Sequence, residues 1–110
     1  MIDVIQNEFN EHIKTSKLLF DLSDLVATSA QICIKCLKGG GKIILFGNGG
    51  SAADAQHIAA ELVGRYKTKR EALPAIALST DTSVITSISN DFGYEYIFDR
   101  QVQSLAKNGD

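Results

Sequence analysis

The stretch "KIILFGNGGSAADAQHIAAELV", residues 42–63, constrains this chain more than any other. Ile43 to Phe46 form a continuous apolar run, the pattern of a strand buried on both faces of a parallel sheet. The glycines at 47, 49 and 50 then force a tight turn. An alanine-rich segment of helical periodicity follows, to about Val63. A strand, a glycine turn and a helix in that order begin an α/β fold whose next strand lies parallel to the first. "AIALS", residues 75–79, supplies that second buried strand after a charged loop holding the only proline.

The flanking segments fit around this unit. Residues 2–38 read as wholly helical: Val4, Ile5, Phe9, Ile13, Leu18, Leu19, Leu22, Leu25 and Val26 recur at three- and four-residue steps. No glycine or proline precedes Gly39, and a break near Ser23 or Thr28 divides the run into two helices. Lys35 and Lys38 suit a helix C-terminus closed by "GGG". So long and apolar a pair exceeds what the short α/β part can cover, which points to a helical bundle across an oligomer interface. After the second strand, "DTSVITSISNDF" and "YEYIFDRQVQSLAK" predict two more helical stretches, with Tyr96, Val102 and Leu105 on the inner face of the last. The expected organisation is a single domain over 1–110: a helical pair at 1–40, then the first strands and helices of an α/β sandwich at 41–110. Two strands make a poor sheet, since three or more are usually needed for independent stability. The chain therefore reads as part of a longer domain.

Composition excludes several classes. A net charge of −2 leaves no basic footprint for nucleic acid or an anionic membrane. No apolar run nears the roughly 20 residues of a membrane span, and "MIDVIQNEFNEH" lacks a signal-peptide layout, so the expected location is the cytoplasm. With no Trp, three Tyr and five Phe, stacking platforms are scarce. Cys33 and Cys36, in "CIKC", sit within helical periodicity without a second pair. They are expected on a buried helix face rather than in a redox or zinc site. His12, among polar residues, reads as surface or oligomer contact, and Asp99 and Arg100 as structural.

The chemistry concentrates in the central unit. Gly47, Gly49 and Gly50 allow positive φ and close approach of a ligand, and the unpaired first-turn N–H groups of the helix attract an anion. Asn48 offers an amide donor and acceptor. Ser51 is expected as the N-cap, with Asp54 completing a box-like cap. The spacing matches neither a nucleotide P-loop nor a dinucleotide fingerprint. His57 and Glu61, at i and i+4, share one helix face about 9 Å and about 15 Å along the axis from Ser51. On a helix otherwise of small and apolar residues, this pair reads either as an exposed polar stripe with Gln56 or as ligands to one cation and acid–base groups.

"GNGGSAADAQHIAAELVGRY", "LPAIALSTD" and "SNDFGYEYIF" together strongly resemble the phosphoheptose isomerases, the sedoheptulose 7-phosphate isomerase branch of the sugar-isomerase (SIS) fold. The likeness runs the whole chain, with its motifs in the right order and intervals. It implies an α/β, flavodoxin-like, doubly wound parallel sheet with an N-terminal helical pair, here cut short, and a homotetramer. It implies that Asn48, Gly49, Gly50 and Ser51 contact substrate, as do Arg65 and the pair Asn90 and Asp91. His57 and Glu61 match two ligands of a zinc ion, one per subunit, and Glu61 also matches the substrate-contacting catalytic base. The remaining ligands, a Gln and a His, and a Ser/Thr-rich phosphate loop belong to a part of the family's sequence beyond this chain. The implied reaction converts sedoheptulose 7-phosphate to D-glycero-D-manno-heptose 7-phosphate through an enediol, the first step toward the nucleotide-activated heptose of bacterial surface polysaccharide. The alternatives are a non-catalytic SIS protein that binds a replication initiator or a sugar phosphate, or an inactive piece of the isomerase. Glu61 favours the enzyme, because the initiator-binding relative lacks that glutamate.

Overall fold

The computed structural model describes residues 1–110 and divides into two units, Met1–Cys33 and Ile34–Asp110. In the first, α1 (Ile2–Leu18) passes through a 3-10 turn at Leu19–Leu22 into α2 (Ser23–Lys38), whose residues from Ile34 onward belong to the second. The break falls at Ser23, one of the two positions expected from the sequence: its hydroxyl donates to the Phe20 carbonyl at 2.7 Å, and the backbone keeps right-handed helical angles at Leu18, Leu19 and Ser23. Neither helix buries a residue, and Phe9, Phe20, Leu25, Val26 and Ile32 are all more than half exposed. Cys33 is exposed, contrary to the expected buried face; Cys36 is half-buried, and its thiol donates to the Lys42 carbonyl at 3.4 Å.

The second unit is built on β1 (Ile43–Leu45), α3 (Gly50–Val63) and β2 (Ala75–Ala77). The strands pair in parallel with Ile43 opposite Ala75 and Leu45 opposite Ala77, and the Leu78 amide extends the ladder to Leu45 at 2.9 Å. A parallel pair needs a crossover, and α3 supplies it. Its Ala55 and Ala59, one turn apart, are buried against Ala77, with Leu45 and Ala75 at the rim. Small side chains at i and i+4 let the helix lie close on the sheet. The residues of β1 are half-buried rather than enclosed on both faces: α3 covers one side, and a two-stranded sheet has little else to cover the other.

The remaining elements are α4 (Thr82–Asp91), a 3-10 turn at Tyr94–Tyr96 and α5 (Asp99–Leu105). Asp81 caps α4, its carboxylate accepting from the Val84 amide at 2.9 Å. The inner face of the last helical stretch is not the expected one. Ile97 and Gln101 are buried, whereas Tyr96 and Leu105 are exposed and Val102 half-buried. The 3-10 turn shifts the helical phase, and Gln101 is satisfied in the interior by donating to the carbonyls of Leu78 at 3.1 Å and Ile97 at 2.7 Å. Asp99 accepts from Gln103 at 2.9 Å, and Arg100 stacks over the Phe92 ring at 3.9 Å; both act structurally. No helix is long and apolar enough to cross a membrane.

Candidate active site

The turn after β1 is tighter than a capped helix start. Gly49 is the N-cap, with φ 55° and ψ −121°, and no side chain caps the helix. Ser51 is therefore the second residue of α3, not its cap, and Asp54 closes no capping box. The Ser51 amide bonds back to the Asn48 carbonyl at 3.0 Å, and the amides of Ala52 and Ala53 to the Gly49 carbonyl at 3.1 and 3.3 Å. This turn satisfies internally the donors expected to face an anion. The amides of Gly47, Asn48, Gly49 and Gly50 are left without a partner in the fold, and those of Asn48, Gly49 and Gly50 lie on exposed residues. Of the three glycines, only Gly49 has positive φ. Gly47 is required for a different reason: a Cβ there would lie 2.5 Å from the Ser51 Cβ. The Cβ of a residue at 50 would meet nothing.

His57 and Glu61 lie one turn apart on α3, with Nε2 and Oε1 separated by 3.6 Å. Each is two residues beyond a buried alanine, so at about 100° per residue the pair occupies the side of the helix away from the sheet. The His57 side chain is 75% exposed and that of Glu61 37%, leaving both donors accessible. Two tetrahedral zinc ligands at about 2.0–2.1 Å from the metal stand roughly 3.3–3.4 Å from each other. A nitrogen and an oxygen donor at 3.6 Å fit two positions of such a site. No third His, Cys, Asp or Glu of the chain joins them, so this chain brings together two donors there.

The last turn of α3 is held by Arg70, which sequence reasoning passed over. Its guanidinium donates to the carbonyls of Glu61 at 2.6 Å and Leu62 at 2.8 Å. A fixed cation at the helix C-terminus satisfies orphan carbonyls and suits the dipole. Arg70 reaches back eight and nine residues from a loop, a distance no local spacing rule covers. Arg65, the arginine picked out in the sequence, is exposed and makes no hydrogen bond or ion pair. Asn90 and Asp91 end α4 on the surface, the Asn90 amide donating to the Asp91 carboxylate at 2.9 Å. Just beyond them, the Tyr94 hydroxyl donates to Asn48 Oδ1 at 2.6 Å. That bond joins the segment after Asn90–Asp91 to the glycine turn, and no sequence signal pointed to Tyr94.

A parallel β–α–β unit, with a glycine turn feeding a helix that carries His57 and Glu61, places the chain in the class of α/β domains. The chain belongs to the SIS domain family, whose model matches residues 9–110. It is 56% identical to a phosphoheptose isomerase of Helicobacter hepaticus over 110 residues, all of this chain and 56% of the relative. It is 57% identical to one from Nitratiruptor sp., again over all of this chain and 59% of the relative. Among solved structures, the phosphoheptose isomerase of Neisseria gonorrhoeae superposes with a TM-score of 0.91 at 40% identity, covering 98% of this chain and 56% of that one. The Francisella tularensis phosphoheptose isomerase gives 0.91 at 34% identity, over 96% and 56%. The chain thus has the expected fold, and it spans little more than half the length of the relatives it matches.

Proposed function

We propose that the full-length protein carrying this chain is a cytoplasmic phosphoheptose isomerase. It converts sedoheptulose 7-phosphate to D-glycero-D-manno-heptose 7-phosphate, the first step toward the heptose of a bacterial surface polysaccharide. The observation that carries this reading is the accessible His57–Glu61 pair on α3, 3.6 Å apart, on the helix that begins in the Asn48–Gly50 turn. The high identity to phosphoheptose isomerases across the whole chain supports it.

The reaction moves a proton between two adjacent carbons and two adjacent oxygens. A base removes the C1 proton of the ketose, an enediol forms, and a proton returns at C2. Glu61 is the base: its carboxylate takes the proton from C1, that proton exchanges with solvent while the enediol persists, and the carboxyl group delivers a proton to C2. Asn48, with the free amides of Gly49 and Gly50, hydrogen-bonds sugar oxygens and holds the substrate against that carboxylate. Ser51, Arg65, Asn90 and Asp91 complete the substrate contacts of the reading. His57 and Glu61 would hold zinc, with further ligands from residues outside this chain. Bound there, the ion would polarise a substrate oxygen and steady developing negative charge. No redox cofactor is required, since electrons are only redistributed within the substrate. The exposed apolar faces of α1 and α2 support assembly through a helical bundle, as a homotetramer.

Incubating the full-length protein with sedoheptulose 7-phosphate tests the proposal. The expected result is formation of the aldoheptose 7-phosphate. Tight binding of the ketose phosphate without turnover would replace the enzyme by a sugar-phosphate-binding module.

A further inference from the structure

Tyr94 lies 46 positions from Asn48 in sequence, yet its hydroxyl donates to Asn48 Oδ1 at 2.6 Å. The backbone beneath the tyrosine is fixed on both sides. Upstream, Gly93 at φ 114° closes α4, its amide donating to the carbonyls of Ile88 and Ser89. Downstream, the Ile97 amide donates to the Tyr94 carbonyl at 3.2 Å, and the Ile97 side chain is buried. The next residue, Phe98, packs its ring at 5.1 Å from that of Phe46, the residue just ahead of the glycine turn. The 3-10 turn is thus docked beside the turn that carries Asn48, and the phenol reaches it from a defined platform.

A side-chain amide has one accepting end and one donating end. With Oδ1 occupied by the phenol, Asn48 presents Nδ2, which has no partner within the fold, as an oriented donor. Asn48 is exposed and sits on a turn whose glycines give it no side-chain neighbours to hold its rotamer. Tyr94 supplies the constraint that the turn itself lacks. We infer that Tyr94 is a positioning residue: it fixes the Asn48 carboxamide so that Nδ2 is offered to a hydroxyl or carbonyl oxygen of the sugar phosphate. The inference rests on the proposed substrate contact at Asn48. Fixing the amide before the substrate arrives reduces the ordering cost of binding.

The test is a double-mutant cycle in the full-length protein, with KM and kcat measured on sedoheptulose 7-phosphate for wild type, Tyr94→Phe, Asn48→Ala and the double variant. Tyr94→Phe keeps the ring and removes only the hydroxyl. It should lower kcat/KM by about two- to twelvefold, the usual worth of one hydrogen bond, mainly through KM. In the Asn48→Ala background the same change should have no further effect. A purely structural tyrosine would instead cause the same loss in both backgrounds, and that result overturns the inference, as does a Tyr94→Phe variant with wild-type kinetics. If Asn48→Ala keeps the wild-type KM, Asn48 is no substrate contact and Tyr94 has nothing to position, while isomerase activity itself stands. If the wild-type protein does not turn the sugar phosphate over, the functional reading fails, and the inference with it.

Discussion

The His57 imidazole and the Glu61 carboxylate face each other across one turn of α3 at 3.6 Å, beyond hydrogen-bond reach and within the span of two ligands on one ion. The alanines at 55 and 59 turn this pair outward by occupying the seam against the sheet. A helix whose buried face is made only of methyl groups leaves the opposite face to chemistry.

The first expected outcome concerns the metal. His57→Ala in the full-length protein should lower zinc content after dialysis from about one ion per chain to a small fraction of that, because loss of one of about four ligands leaves an incomplete site. The His57 side chain is largely exposed, so thermal stability of the metal-free protein should change little. Equal zinc in mutant and wild type would remove His57 from the ligand set.

The glycine turn gives a paired test. Gly47→Ala would set a Cβ 2.5 Å from that of Ser51 and 3.1 Å from its carbonyl carbon, so backbone must move. Overpacking of this kind costs about 1–3 kcal/mol, seen as a lower midpoint in denaturant. Gly50→Ala meets no atom within 4 Å and needs no positive φ, so it should be neutral or stabilising by up to about 1 kcal/mol. Equal losses in the two variants would contradict the described turn.

Much of this arrangement was legible in the sequence, for identifiable reasons. The apolar run at 43–46, the glycines and the alanine-rich period required a strand, a turn and a helix, and α3 ends at Val63 as its pattern indicates. Local chemistry misled at Ser51: a serine before a helical pattern looks like a cap, but a left-handed Gly49 starts the helix a residue earlier. It misled again at α5, where a glutamine was passed over for burial. Only the fold brings the Leu78 carbonyl to Gln101 and removes the cost of burying it. Arg70 on the end of α3 and Tyr94 on Asn48 are long-range contacts between exposed polar residues, with no periodicity to betray them.

Asp110 offers a pH-dependent readout. The Lys42 ammonium bonds its carboxylate, the amides of Lys107 and Lys42 donate at 2.8 and 2.9 Å, and these hold its pKa at about 2. The folded value lies below the unfolded value of about 3.9, so the folded state is favoured by this group above pH 4. That contribution fades as pH falls toward 2. Carboxyl carbon shifts of Asp110 followed by NMR should titrate near pH 2, and Lys42→Met should return the midpoint toward 4. A wild-type midpoint near 4 would contradict the ion pair.

The helical unit should be an assembly surface. Phe9, Leu25 and Val26 are each about two-thirds exposed on helices that bury nothing, an arrangement that marks an interaction site. Light scattering of the full-length protein should give a tetramer, and replacing Phe9 and Leu25 together by Glu should yield smaller species. A monomeric wild-type protein at micromolar concentration would contradict this.

Glu61 is the group proposed to take the proton from carbon. Glu61→Gln keeps the shape of the side chain and removes its basicity. It should lower kcat by roughly 10²- to 10⁴-fold, the usual worth of a general base, with a much smaller change in substrate binding. The most direct measurement is solvent exchange at C1: full-length protein is incubated with sedoheptulose 7-phosphate in deuterium oxide, and loss of the C1 proton signal is followed by NMR. The wild-type protein should exchange that hydrogen and the Glu61→Gln variant should not. Exchange at the wild-type rate in the variant would show that another group is the base.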